Sequence, residues 1–312
     1  MAQFSPKKSR VPVHGVLLLD KAAGYSSNDA LIQAKRLLNA QKAGHTGTLD
    51  PFATGLLPLC FGEATKFSQD LLDADKTYEA VVHLGISTAT GDTEGEVLKT
   101  SEVGVTRAQI ETVLERFRGE IAQVPPMHSA LKRDGKPLYE YARAGITLER
   151  EPRRVIIHAL EVLSYQQPYL SLRVSCSKGT YIRVLGEDIG AALGCGAHLK
   201  ALRRTQVGIL SLDQAVTLDT LADTSEMERI RLLSPVDALL ASFPPISLPS
   251  VLAKRFLQGQ RLALGKEGLL FPVYEGRVRV YGKEDGLLLG TAQLMEYGVL
   301  APERLIATEI SK

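Results

Sequence analysis

Hydrophobic and polar positions follow two rhythms in this chain. Val16 to Leu19 is an unbroken apolar run closed by Asp20 and Lys21, which predicts a buried strand over 15–21. Ala22 to Tyr25 turns the chain. Ser26, Ser27 and Asn28 are all good N-caps, and the periodic apolar positions after them predict a helix reaching Leu38. A further helix is expected near 64–72, and the alternation over 77–84 predicts a half-buried strand. Thr106 with Gln109 three residues on is a capping box opening a helix to about Arg118. Strand patterns return at 155–163 and 169–176, a helix pattern at 181–193, and another strand around 205–210. Such a mixture without regular βαβ alternation predicts an α+β fold. Pro244, Pro245 and Pro249 mark 242–249 as a linker, and the short glycine-broken strand patterns beyond it (277–281, 287–290) predict a small β-domain.

One segment obeys neither rhythm. Residues 44–58 carry Gly44, Gly47 and Gly55, Pro51 and Pro58, the hydroxyls of Thr46, Thr48 and Thr54, the imidazole of His45, and one carboxylate, Asp50. Glycine and proline at these positions oppose both helix and strand, while apolar segments flank the run. The expectation is a tight loop held inside the body, built to present Asp50. An isolated Asp-Pro would read as an ordinary turn; the organisation of the whole run argues otherwise.

Composition narrows the function classes. With 312 residues and a 45% apolar share the chain can bury a sizeable core and form two domains. A formal charge of +2 neither demands nor excludes a nucleic-acid partner. Cys60, Cys176 and Cys195 form no CxxC pair, and no histidine pair has ligand spacing, so a reducing compartment is expected and a zinc site is not. No apolar run is long enough for a bilayer, and the basic start lacks the apolar core of a signal peptide. The expectation is a soluble cytoplasmic protein.

Four further segments carry candidate chemistry. Tyr78 sits at a strand start. The proline-punctuated stretch after Pro125 holds Lys132 and Arg133. A glycine turn, Lys178 to Arg183, leads into a helix, where a cation such as Arg183 opposes the helix dipole and needs a partner. Arg203 and Arg204 add two cations. Read blandly, Tyr78 is a strand aromatic and Lys132, Arg133, Arg203 and Arg204 form a solvated face. Read together, basic loops around one acid and two tyrosines favour an anionic, phosphate-rich polymer, whose phosphates supply affinity while aromatics stack on bases. No GxxxxGK[ST] is present to support phosphate hydrolysis.

These residues, in this order, resemble the TruB family of tRNA pseudouridine synthases: Lys21 with Gly24, the run 44–58, Lys76 with Tyr78, the loop 125–141, Lys178 to Arg183, and Leu202-Arg203-Arg204. The resemblance covers roughly residues 13–240. Two positions depart from it: Ala22 stands where the family has proline, and His128 where it commonly has tyrosine.

The resemblance implies a pseudouridine synthase fold with a mixed, largely antiparallel central sheet flanked by helices. It implies a flexible basic N-terminus over 1–12, a catalytic domain over 13–243 with an RNA-binding thumb loop at about 125–145, and a PUA-like domain over 250–312. It implies uridine-to-pseudouridine isomerisation at position 55 of the tRNA T loop after base flipping, with no metal or cofactor, by a monomer needing no obligatory protein partner. Asp50 is then the catalytic carboxylate, which attacks or stabilises the sugar or removes a ribose proton; Arg183 is its cation; and Tyr78 stacks on the target base and serves in the final proton removal. His45 fills the space vacated in the RNA, Leu202 packs beneath the base, and Lys21 and Tyr181 belong to the same pocket. Lys132, Arg133 and Arg203 contact RNA. The rivals are a non-catalytic tRNA-binding or chaperone protein and a guide-RNA-dependent synthase subunit.

Overall fold

The computed structural model describes residues 9–306. In chain order come β1 (Gly15–Lys21), α1 (Ser27–Leu37), β2 (Ala43–His45), β3 (Thr54–Phe61), α2 (Ser68–Leu72), β4 (Lys76–Leu84), β5 (Ile86–Thr88), β6 (Val97–Thr100) and α3 (Arg107–Leu114). Then follow β7 (Gly119–Gln123), β8 (Lys132–Arg133), β9 (Lys136–Pro137), α4 (Leu138–Arg143), β10 (Arg153–Gln166), β11 (Tyr169–Cys176), α5 (Ile182–Ala192), β12 (Ala197–Val207) and β13 (Leu210–Ser211). The chain ends with α6 (Leu218–Asp223), α7 (Glu226–Arg229), β14 (Pro245–Leu248), α8 (Ser250–Leu257), β15 (Leu262–Ala263), β16 (Gly276–Gly282), β17 (Leu288–Met295) and β18 (Val299–Leu305).

The large sheet runs β1-β3-β12-β4-β11-β10-β7, with β2 added on β3 and β13 on β12. Along that path β3 and β12 are parallel and the other neighbours antiparallel, so the α+β class with a largely antiparallel central sheet is what the chain adopts. Its core is the alternating inward face of these strands, Leu17, Leu19, Leu57, Leu59, Val82, Leu172 and Val174, covered by helices. α5 contributes Ile182, Leu185 and Ile189, a single helical stripe buried on the sheet. Gly186 lets that helix lie close: a Cβ there would meet Leu199 Cδ2 at 3.0 Å.

Several boundaries differ from the pattern-based expectations. Only the middle of 44–58 is loop, because β2 takes its first residues and β3 its last. Pro58 lies inside the buried strand β3 opposite Leu18, and its carbonyl accepts from the Thr46 amide at 3.2 Å. The strand expected at 205–210 is instead β12, eleven residues starting at Ala197; its cations and two register shifts hide the alternation. The helix expected at 64–72 is a 3₁₀ turn over Gly62–Phe67 followed by α2.

The segment read as a linker contains β14, which pairs in parallel with β16 and buries Ile246 and Leu248. It is an edge strand, the position at which its one proline, Pro245, is tolerated. The second sheet, β14-β16-β17-β18-β15, has its own core around Leu248, Phe256, Val280, Leu294 and Leu300. Polar contacts fasten it to the first body: Arg277, paired within its own sheet with Glu303, also pairs with Asp70, and Tyr281 Oη donates to Asp237 at 2.6 Å.

Of the basic start expected to be flexible over 1–12, residues 1–8 lie outside the described residues. Val11 is not loose: its amide donates to Asn39 O at 2.9 Å and its carbonyl accepts from Gln41 N at 3.0 Å. Among the described residues no helix is long and apolar enough to cross a membrane.

Candidate active site

The Asp50 loop joins β2 to β3 and is pinned on three sides. Lys21, at the end of β1 and fully buried, donates to Ala22 O at 2.9 Å, Tyr25 O at 2.7 Å and Pro51 O at 3.3 Å. Ser27, in the first turn of α1, takes the Leu49 amide at 2.8 Å and gives its own hydroxyl to Leu49 O at 3.0 Å. Arg204, from β12, donates to Leu56 O at 2.8 Å and to Gly47 O at 3.0 Å, one residue on each side of the acid's loop. Gly55 has φ +99°, and a Cβ there would sit 2.3 Å from Arg204 O, so only glycine lets β12 approach. With Leu49 and Ala53 buried beneath it, the loop is rigid, and Asp50 projects from it with 36% of its side chain exposed.

Arg183, near the start of α5, is 4% exposed and reaches Asp50 Oδ2 with Nε at 2.9 Å. Its other nitrogens are spoken for: Nη1 donates to Thr90 O at 2.9 Å and lies 3.5 Å from Asp92 Oδ2, while Nη2 donates to His128 O at 2.7 Å. Asp92 is itself buried and held by the Glu94 amide at 3.0 Å and by the Thr90 hydroxyl. The guanidinium is thus locked in one orientation between two carboxylates. Burial pushes the Asp50 carboxyl above its ordinary range, Arg183 pulls it back down, and Asp92 pushes it up again.

Asp50 lines two adjoining cavities. The inner one, of about 270 Å³, is walled by Tyr78 from β4, Leu202 and Arg204 from β12, Lys76, Tyr181 and Arg183. The outer one, of about 640 Å³, opens past His45, Asp92, Glu94, His128 and Arg143. Tyr78 stands opposite Arg204 across the β4–β12 pairing, and burial raises its phenol while Arg204 opposes that rise. Tyr181 caps α5, its amide held by Gln123 Oε1 at 3.0 Å. His45 keeps a buried Nδ1 with no partner, and burial together with Arg204 lowers its pKa, which favours the neutral imidazole.

The structure therefore brings Asp50, Tyr78, Arg183, Tyr181 and Leu202 around one cavity, with His45 at the mouth of the next. It does not bring all the candidates there. Lys21 is a brace: its ammonium is consumed by three carbonyls, and burial pushes it down to about 8. Arg203 turns to the other face of β12 and pairs with Asp20 at 2.7 Å. Lys132 and Arg133 lie on the exposed β8–β9 hairpin, away from both cavities.

Three residues of the site have no role assigned to them from the sequence, and Asp92 is not singled out there at all. The bland reading puts Arg204 on a solvated face, yet it is 1% exposed. Period-two alternation within a strand was the available signal, since Arg203 and Arg204 must point to opposite faces. Asp92 lies in Thr90-Gly91-Asp92-Thr93-Glu94-Gly95, a turn-rich acidic run with no spacing that links it to Arg183. Lys76, two residues before Tyr78, turns its ammonium to Leu71 O at 3.1 Å and Leu72 O at 2.8 Å. Among the described residues no group of three or more His, Cys, Asp or Glu side chains is placed to hold a metal.

Comparison with known proteins adds independent findings. Residues 35–182 match the model of the TruB family pseudouridylate synthase N-terminal domain, 183–241 that of the tRNA pseudouridylate synthase B C-terminal domain, and 244–306 that of the pseudouridine synthase II TruB C-terminal region. The chain is 62% identical over 304 residues to the tRNA pseudouridine synthase B of Burkholderia mallei, with 97% of each chain covered. It is 63% identical over 311 residues to the protein of that name from Ralstonia pickettii, with 96% of each covered. Among solved structures it resembles a chain of a Cbf5-Nop10-Gar1 complex at 27% identity and a TM-score of 0.72, covering 97% of this chain and 91% of that one. A chain of an H/ACA RNP bound to a substrate RNA containing 2'-deoxyuridine is similar at 26% identity and a TM-score of 0.71, covering 94% and 84%.

Proposed function

The chain belongs to the TruB family of pseudouridylate synthases, and from that premise we propose that it isomerises uridine in tRNA to pseudouridine, at position 55 of the T loop, with Asp50 as the catalytic residue. The observation that carries the assignment of the site is the Asp50 carboxylate, open to solvent on one side, held 2.9 Å from a buried arginine and facing a cavity walled by Tyr78 and Leu202.

The target nucleotide enters the inner cavity flipped out of its stack, at a cost of about a few kcal/mol. Leu202 and Tyr78 take the base between an apolar floor and an aromatic wall, while neutral His45 sits where it fills the space left in the RNA. Asp50 acts on the sugar as an ionised carboxylate. The glycosidic C1′–N1 bond breaks, the uracil turns over within the cavity, and C5 bonds to C1′. Carbon C5 then gives its proton to the Tyr78 oxygen, the C–H electron pair closes the C5–C6 double bond, and N1 takes a proton from water. The exposed cations of the β8–β9 hairpin, Lys132 and Arg133, contact phosphates, and the second sheet extends the RNA-binding surface. The enzyme works as a monomer in the cytoplasm.

The test is direct. Purified full-length protein incubated with a T-arm transcript yields pseudouridine at the position equivalent to 55 and nowhere else in the arm. Absence of product from the chain alone, with product restored by a guide RNA and partner proteins, would favour a guide-dependent subunit. The 62% identity to a protein named tRNA pseudouridine synthase B, against 27% to a chain of a Cbf5-Nop10-Gar1 complex, weighs against that outcome.

The pH dependence follows from the Asp50–Arg183 pair. Burial raises the Asp50 carboxyl and Arg183 lowers it, so removing the cation raises it further. In the Arg183→Gln protein the acid limb of kcat/KM is expected to move to higher pH by about 1–3 units, because an opposite charge at this distance is worth that much to a carboxylate. Activity is then retained only at the alkaline side of the wild-type range. A pH–rate profile checks it; an unmoved limb would mean that Asp50 is not the group being titrated.

A further inference from the structure

Arg204 is a buried cation without a counter-charge. It is 1% exposed, its hydrogen bonds go to the carbonyls of Gly47 and Leu56, and no ion pair among the described residues includes it. An uncompensated buried charge is costly to keep. Bracing a loop does not by itself require one, because a neutral amide also donates to carbonyls, though less strongly. What lies beside the charge explains it. Arg204 is the cross-strand partner of Tyr78, and both side chains wall the cavity that holds Asp50. We propose that Arg204 is a positioning residue for Tyr78: its guanidinium, anchored on both sides of the Asp50 loop, supplies the positive charge that lets the phenol oxygen act as the base at uracil C5. The proposal rests on the reading of Tyr78 given above.

The groups facing Tyr78 from each neighbouring element agree with this role. From β11 comes Cys176, whose thiol burial pushes up to about 11, so it stays uncharged. From the catalytic loop comes Asp50, whose negative charge holds the phenol proton on. Lys76, on the same strand, is tied to carbonyls at the end of α2 and is itself depressed to about 8 by burial and by Arg204. Arg204 supplies a guanidinium cation directly across the strand pair from the phenol, on the same cavity wall, where its charge works against the rise that burial causes. In the step itself Tyr78 enters as the phenolate, its proton already released to water. It takes the C5 proton and leaves as the neutral phenol.

The same arrangement couples geometry to charge. Nη2 on Gly47 O and Nε on Leu56 O bracket Asp50, so the acid and the phenol are held in register by one side chain. A purely structural arginine and a charge-supplying one make different predictions, and a set of single and combined variants separates them.

Single-turnover rates are measured on a T-arm transcript with full-length wild type, Arg204→Gln and Tyr78→Phe, and with 3,5-difluorotyrosine at position 78, a more acidic phenol. Arg204→Gln is expected to lose roughly a hundredfold at neutral pH and to regain about tenfold for each pH unit upward, the dependence of a base that must first ionise. Difluorotyrosine at position 78 is expected to restore at least about tenfold of the Arg204→Gln loss, since it lowers the phenol's pKa by more than a unit. In the Tyr78→Phe background the Arg204→Gln change is expected to add nothing. A loss that is the same at every pH, or that difluorotyrosine does not relieve, overturns the proposal in favour of a brace alone. Should Arg204→Gln not fold, the difluorotyrosine rescue is read on Arg204→Lys, which keeps the charge but sets it farther from the phenol. Were Tyr78→Phe as fast as wild type, the reading of Tyr78 would fall and this proposal with it; were Asp50→Asn active, the site assignment would fall independently of Arg204.

Discussion

Asp50→Asn protein is expected to bind tRNA within about threefold of wild type and to form pseudouridine at a rate lower by roughly 10⁴-fold or more, the scale of loss when a sole chemical group is removed. The substitution is nearly isosteric. The loop that carries residue 50 is held by Lys21, Ser27 and Arg204 through backbone atoms, none of which changes. Arg183 keeps its bonds to Thr90 O and His128 O and its contact with Asp92, so it does not collapse into the vacated charge. What is lost is the carboxylate acting on the sugar. Filter binding and single-turnover product mapping on the same preparation check it, and turnover close to wild type would sink the assignment of Asp50.

Tyr78→Phe is the second large effect. Its ring still stacks on the base, so affinity is expected within about threefold of wild type, while the rate drops by roughly 10²–10⁴, the range set by positioned general bases. The β4–β11 and β4–β12 pairings on both sides of residue 78 hold the backbone, so the loss belongs to the hydroxyl rather than to a displaced strand. A substrate deuterated at C5 sharpens the result: if proton removal from that carbon becomes rate-limiting, the variant shows a larger isotope effect than wild type. Equal rates for the two proteins would show the hydroxyl to be dispensable.

Much of this molecule was legible before its coordinates. β1, α1 and β11 begin and end within about two residues of where the hydrophobic pattern puts them, because each buries one face and closes on a strong cap or turn. Ser26 is an N-cap with a capping box completed by Asp29, as the run of cap-forming residues suggested. β12 was the poorest reading. Its cations look like a solvated run, while in the fold one of them faces Asp20 and the next is sealed against Tyr78 and the Asp50 loop. The linker reading of 242–249 failed for a related reason. Proline density signals a break, yet an edge strand that starts on an outward-facing Pro245 and is flanked by Pro244 and Pro249 has the same composition.

The candidate site divides along the same line. Asp50 and its rigid loop were readable because glycine, proline and hydroxyl residues in that order are a local statement about backbone geometry. The resemblance puts Lys21 in the pocket, whereas it braces the loop from behind, since whether an ammonium meets phosphate or carbonyl depends on how deeply the neighbouring turn is buried. Asp92 lies ninety-one residues before the arginine it steadies, Arg183. Nothing local marks that pair.

The sequence by itself determined the periodicities, the caps and the loop that offers Asp50, because these depend on residues within a few positions of one another. Only the tertiary structure decided which cation faces the acid, which is braced by carbonyls and which is left unneutralised beside Tyr78. Those outcomes depend on β12 inserting between β3 and β4, a crossover that joins residues some 150 apart in sequence at hydrogen-bond distance, and burial then sets what each charge is worth.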